Sequence, residues 1–119
     1  MLVIDDQRMM VDVVEAMLRK AGYREVETVT VSREAIAAFE RFRPDLVLLD
    51  LHIPGRDGFD VLSDLRDRDQ ATPMPVLMLT ADNEPAVHIG ALEPGVLALP
   101  TTPIEEPMLL ARVRNLAAI

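Results

Sequence analysis

Short apolar runs alternate with helical periodicities along all 119 residues, and several runs stop on an aspartate or a threonine. Leu2-Val3-Ile4 meets Asp5-Asp6, Leu46-Val47-Leu48-Leu49 ends at Asp50, and Val76 to Leu79 ends at Thr80. Val26 to Val31 alternates apolar and polar residues, as a half-buried strand does, and Val96 to Leu99 supplies a fifth short run. The run before Asp50 is continuously apolar, as a central parallel strand covered on both faces would be.

Between the runs lie helical patterns. Met10, Val13, Val14, Met17, Leu18 and Ala21 share one face, and Gly22 stands where a helix stops. Ser32 is the expected N-cap of a helix carrying Ala35, Ile36 and Phe39. A Pro54-Gly55 turn precedes a third helix marked by Gly58, Val61, Leu62 and Leu65. The fourth is weakly specified between Pro85, Gly90 and Pro94-Gly95. The last runs from Ile104 through Leu116, with Pro107 tolerated in its first turn. Five strands alternating with five helices imply one α/β domain over 1–119, a three-layer sandwich around a parallel sheet. There is no repeat, low-complexity tract or linker.

Composition narrows the function classes. A net charge of −8 is expected to exclude direct nucleic-acid binding, which needs clustered Lys and Arg. Without Cys there are no disulfides or thiolate metal sites, which suits a reducing cytoplasm. No apolar run approaches a membrane span and no leader precedes the first strand, so a cytoplasmic protein is expected.

In an open parallel sheet, ligands sit at the carboxyl ends of the strands. Asp5, Asp6, Asp50, Thr80 and Thr101-Thr102 are expected to converge there. Two like charges ~4 Å apart repel by roughly 4 kcal/mol at an effective dielectric near 20. A Mg²⁺ ion, which favours hard oxygen ligands, would relieve that cost. A single Asp is most simply a turn former. An adjacent pair plus a third, each directly following an apolar strand, points to a site.

Ile4-Asp5-Asp6, Asp50-Leu51-His52-Ile53-Pro54-Gly55-Arg56-Asp57-Gly58 and Leu79-Thr80-Ala81 resemble the receiver domains of bacterial response regulators. The likeness extends from Leu2 to about Leu116 and includes the separation of Asp50 from Thr80. It implies a flavodoxin-like (βα)5 fold with strand order 2-1-3-4-5. It also implies a phosphoacceptor at Asp50, loaded by a histidine kinase or phosphotransfer protein in a Mg²⁺-dependent reaction. By the same resemblance, Asp6 binds the ion directly, Asp5 partly through water, and His52 through its backbone carbonyl. Thr80 would bond a phosphoryl oxygen, and the small Ala81 would keep the approach to Asp50 open. Output would pass to a further domain in a longer chain, to a partner, or to a homodimer formed through the fourth and fifth helices. Such a domain is a switch rather than an enzyme, although it assists its own phosphorylation and dephosphorylation.

Two residues and the loop Glu93-Pro94-Gly95-Val96, which replaces the family's Gly-Ala-Asp-like stretch, depart from the family pattern. Thr102 precedes Pro103 where the family has Lys, and Leu99 stands where it has a switching Tyr or Phe. The acceptor half of the site is kept and the relay half altered. A phosphorylation-independent docking or dimerisation module is therefore the alternative function. A magnesium-dependent phosphatase with an Asp nucleophile ranks last, because His52 occupies the place of its second acid.

Overall fold

The computed structural model describes residues 1–50, 52–53, 56–68, 74–80, 96–100 and 105–117. Strands β1 (Leu2–Ile4), β2 (Glu27–Val29), β3 (Val47–Asp50), β6 (Val76–Thr80) and β7 (Val96–Pro100) form one sheet in the order β2-β1-β3-β6-β7. Every pairing in it is parallel, with Leu2 opposite both Glu27 and Val47, and Asp50 opposite Leu79. The expected α/β class with a parallel sheet is present. A two-stranded antiparallel pair, β4 (His52–Ile53) and β5 (Arg56–Asp57), follows β3 and was not expected.

Strands β1 and β3 are apolar up to their last residues because both faces are covered. One side chain set (Leu2, Ile4, Val47, Leu49, Val76, Met78) packs with helix α2 (Ala35–Phe42) and helix α3 (Gly58–Arg68). The alternate set (Val3, Leu46, Leu48, Leu77, Leu79) packs with helix α1 (Arg8–Lys20) and the C-terminal helix α4 (Glu106–Ala117). This is the alternation of successive side chains across a pleated sheet, while the parallel pairing puts the carboxyl ends of all five strands at the same edge.

The helices correct several details of the expected pattern. Along α1 the buried residues are Val11, Val14 and Leu18, while Met10 and Met17 are half-buried and Val13 is 37% exposed. The helix is rotated from the anticipated face because spacing i, i+3, i+7 makes a tighter stripe than the six residues first grouped. Ser32 does not cap α2. It opens a 3₁₀ turn over Ser32–Glu34, and Glu34 takes the N-cap position without a side-chain cap bond. The expected fourth helix, the Pro54-Gly55 turn and Ile104 lie outside the described residues.

Helix α1 ends as anticipated. Gly22 takes φ +103°, and the N–H groups of Gly22 and Tyr23 donate to the carbonyls of Arg19 and Leu18 at 3.0 and 3.1 Å. That pair of bonds is a Schellman closure, which needs a left-handed residue at this step and so favours glycine. Arg19 adds to it by donating to the carbonyls of Arg24 and Val26, which ties the end of α1 to the approach of β2. The start of α1 is thereby fixed at the opposite end of the sheet, next to Asp5 and Asp6.

A candidate acidic metal and phosphoacceptor site

Asp5 and Asp6 directly follow β1, and Asp50 is the last residue of the neighbouring strand β3. Parallel pairing of the two strands puts these three carboxylates at one edge. One oxygen from each lies within 4.8 Å of the others. Asp5 is 4% exposed and is the one buried charged residue among those described. Asp6 and Asp50 are half-buried. The Oδ1 atom of Asp6 is buried and accepts no hydrogen bond.

The electrostatics follow from that crowding. Burial, first, pushes the Asp5 carboxyl above the ordinary carboxylate range. The N–H of Gln7, donating to Asp5 Oδ1 at 2.9 Å, pulls it back down. The charge on Asp6 raises it again, and a hydrogen bond with Asp50 lowers it. The net direction is upward, so the pocket favours holding a positive charge of some kind.

A divalent cation fits these residues. All three donors are hard oxygens, and Asp6 Oδ1 is a buried acceptor awaiting a partner. Ligands on opposite sides of Mg²⁺ stand about 4.2 Å apart, twice a bond of about 2.1 Å. The observed spread of up to 4.8 Å therefore suits direct ligation by some of the oxygens and ligation through water by another.

The raised Asp5 carboxyl sets a sign for pH dependence. In the window between the ordinary carboxylate range and the raised folded value, the folded state holds a proton that the unfolded state has lost. The contribution of Asp5 to stability is therefore present below that window and is lost as pH rises through it. A cation must displace that proton. The gain in melting temperature on adding Mg²⁺ should accordingly grow as pH rises through the window, and this growth should shrink in Asp5→Asn. A Mg²⁺ effect independent of pH in the wild type would contradict the assignment.

Of the other anticipated residues, Thr80 ends β6 and Leu99 lies in β7, opposite Leu79. Both strands reach the edge that carries Asp50. His52 opens β4, paired with Asp57. Ala81, Thr101 and Thr102 lie outside the described residues. The bond from Gln7 to Asp5 was not anticipated. An Asp side chain commonly accepts the backbone N–H two residues further on, and the Asp5-to-Gln7 bond is one of these.

The described residues offer no comparable constellation elsewhere. An open groove of about 390 Å³ at the other end of the sheet is lined by Met1, Tyr23, Arg24, Glu25 and Asp45. A second, of about 340 Å³, runs beside β2 past Thr28, Glu34 and Arg41. Neither contains a cluster of nucleophilic or metal-ligating groups among the described residues. No described helix is long and apolar enough to cross a membrane.

Comparison with known proteins points to one family. The family model of the response regulator receiver domain matches residues 1–114. The response regulator PleD of Caulobacter vibrioides is 41% identical over 115 residues, covering 97% of this chain and 25% of PleD. The sensory transduction protein RegX3 of Mycobacterium tuberculosis is 37% identical over 113 residues, covering 95% of this chain and 48% of RegX3. The chain thus spans between a quarter and a half of these relatives' lengths. Among solved structures, the Vibrio cholerae chemotaxis protein CheY4 superposes with a TM-score of 0.85 at 29% identity, over 97% of this chain and 95% of CheY4.

Proposed function

Since this chain belongs to the response regulator receiver family of two-component systems, we propose that it is a switch that takes a phosphoryl group on Asp50. The observation that carries this is the gathering of the Asp5, Asp6 and Asp50 carboxylates within 4.8 Å at the ends of β1 and β3. A cluster of like charges around one buried carboxylate is costly, and a domain used only for docking gains nothing from it.

In this reading an Asp50 carboxylate oxygen attacks phosphorus, the bond to the donor's leaving group breaks, and an acyl phosphate remains on Asp50. Asp5 and Asp6 hold the Mg²⁺ with Asp50, and the carbonyl of His52 completes the protein ligands. The bound ion supplies positive charge for the phosphoryl oxygens. Thr80 donates its hydroxyl hydrogen to one of those oxygens, and Ala81 leaves the approach open. The donor is a phosphohistidine of a kinase or phosphotransfer protein. The whole stretch 1–119 forms one (βα)5 domain of flavodoxin-like order, working in the cytoplasm and joined to, or acting on, an output partner or a second copy. Its product is a changed conformation, so it is a signalling module rather than an enzyme with turnover.

Thr102 and Leu99 favour a second reading, in which output is weakly coupled to phosphorylation or independent of it. Thr offers one hydrogen bond where the family's Lys offers a full charge, and Leu lacks the two-position behaviour of an aromatic ring. A ligand shifts a conformational equilibrium only by its differential affinity for the two states, and both replacements reduce that difference.

Chemical trapping tests the proposal. Borohydride reduction of the phosphorylated protein followed by peptide mapping should find the reduced residue at Asp50. Reduction at another carboxylate would overturn the assignment of the acceptor. Partner binding and output unchanged in Asp50→Asn would favour the second reading.

A further inference from the structure

The main chain of Gln7 faces two ways. Its carbonyl accepts the N–H of Val11 at 3.0 Å and so begins helix α1. Its N–H turns back and donates to Asp5 Oδ1 at 2.9 Å. Gln7 is the N-cap residue, with φ −92° and ψ 109°, and its own side chain makes no cap bond. An N-cap N–H precedes the intrahelical ladder and is not consumed by it. Here that donor is spent on the most buried carboxylate of the acidic cluster.

We propose that the backbone N–H of Gln7 is the positioning group of the cation site, holding the Asp5 carboxylate in the orientation that ligates Mg²⁺. The inference rests on the reading of Asp5, Asp6 and Asp50 as a divalent-cation site, and adds to it the group that orients the buried ligand. One carboxylate oxygen is fixed by a donor anchored to α1, so the rotation of the Asp5 side chain is set before the ion arrives. Ligands held by their neighbours in this way bind metal more tightly than ligands free to turn. The same arrangement joins the first turn of α1 to the acidic site, because the main chain of one residue makes both bonds.

The N–H is a backbone atom, so the side chain of Gln7 should be dispensable. Magnesium affinity, read from melting temperature against MgCl₂ concentration, should be the same within about twofold in Gln7→Ala. Gln7→Pro removes the donor but also restrains Asp6, the residue before the proline. An ester in place of the Asp6–Gln7 amide deletes the N–H while keeping every side chain, at the cost of a weaker Asp6 carbonyl acceptor, and is the decisive variant. It should raise the Mg²⁺ dissociation constant about tenfold, equal to ~1.4 kcal/mol. An ester variant that melts earlier without metal yet binds Mg²⁺ as tightly as the wild type would overturn the inference, because the bond would then serve stability only. Equal weakening in Gln7→Ala would also overturn it.

Amide hydrogen exchange in the metal-free protein separates this inference from the reading beneath it. The Gln7 N–H should exchange slowly in the wild type and quickly in Asp5→Ala. Fast exchange in both would sink the inference whatever the ion does. Slow exchange with no effect of MgCl₂ on the wild-type melting temperature would sink the cation-site reading, and with it the assigned purpose of the bond.

Discussion

Asp6→Asn should make the metal-free protein more stable and at the same time abolish its response to Mg²⁺. The variant removes one charge from three carboxylates that lie within 4.8 Å of one another. Two unit charges at that separation repel by ~3 kcal/mol at an effective dielectric near 20. Asp6 and Asp50 are only half-buried, so solvent reduces the gain to about 1–2 kcal/mol. The amide nitrogen of Asn can also donate to a neighbouring carboxylate, which the orphaned Oδ1 of Asp6 cannot do. Calorimetry in EDTA should show a higher melting temperature than wild type, and saturating MgCl₂ should raise the wild type alone. A variant less stable than wild type without metal would mean that the cluster is not under repulsion. A variant still stabilised by Mg²⁺ would mean that Asp6 is not a required ligand.

Leu48→Ala should cost about 2–5 kcal/mol, the range for emptying a fully buried leucine site. Leu48 has no exposed surface and packs in the layer that includes Val14, Leu18, Leu109 and Val113. Domains of this size are typically stable by only about 5–15 kcal/mol, so the loss is a large share of the total. Urea denaturation should show a lower midpoint with an unchanged slope. Val13→Ala is the contrast. Val13 is 37% exposed on the outer face of α1, and its truncation should change stability by only about 0.5 kcal/mol. Equal losses at the two positions would contradict the observed rotation of α1.

The ends of β1, β3 and β6 were readable in the amino-acid order because each is apolar up to the residue where chemistry begins. Asp50 after Leu46-Val47-Leu48-Leu49 is the clearest instance, and the structure places it within reach of Asp5 and Asp6. Three-dimensional gathering of strands β1 and β3 was not contained in periodicity. It follows from their pairing, which the family resemblance supplied. Helix faces were read less well, since Val13 and Val14 are chemically alike and only packing against the sheet decides that Val14 is inside. Ser32 misled because a good capping side chain is also at home in a 3₁₀ turn. The β4–β5 pair escaped notice because two-residue strands have no period to detect. The Gln7 bond escaped because it uses a backbone donor that every residue but proline possesses.

The acceptor carboxylate is the central claim, and intact mass tests it most directly. The protein would be incubated with acetyl phosphate, with and without Mg²⁺, beside Asp50→Asn under the same conditions. One phosphoryl adduct that requires the metal and is missing from the variant is the predicted result. A folded wild-type protein that gains no adduct from acetyl phosphate or from a phosphohistidine donor, or a variant that gains the same adduct, would contradict it.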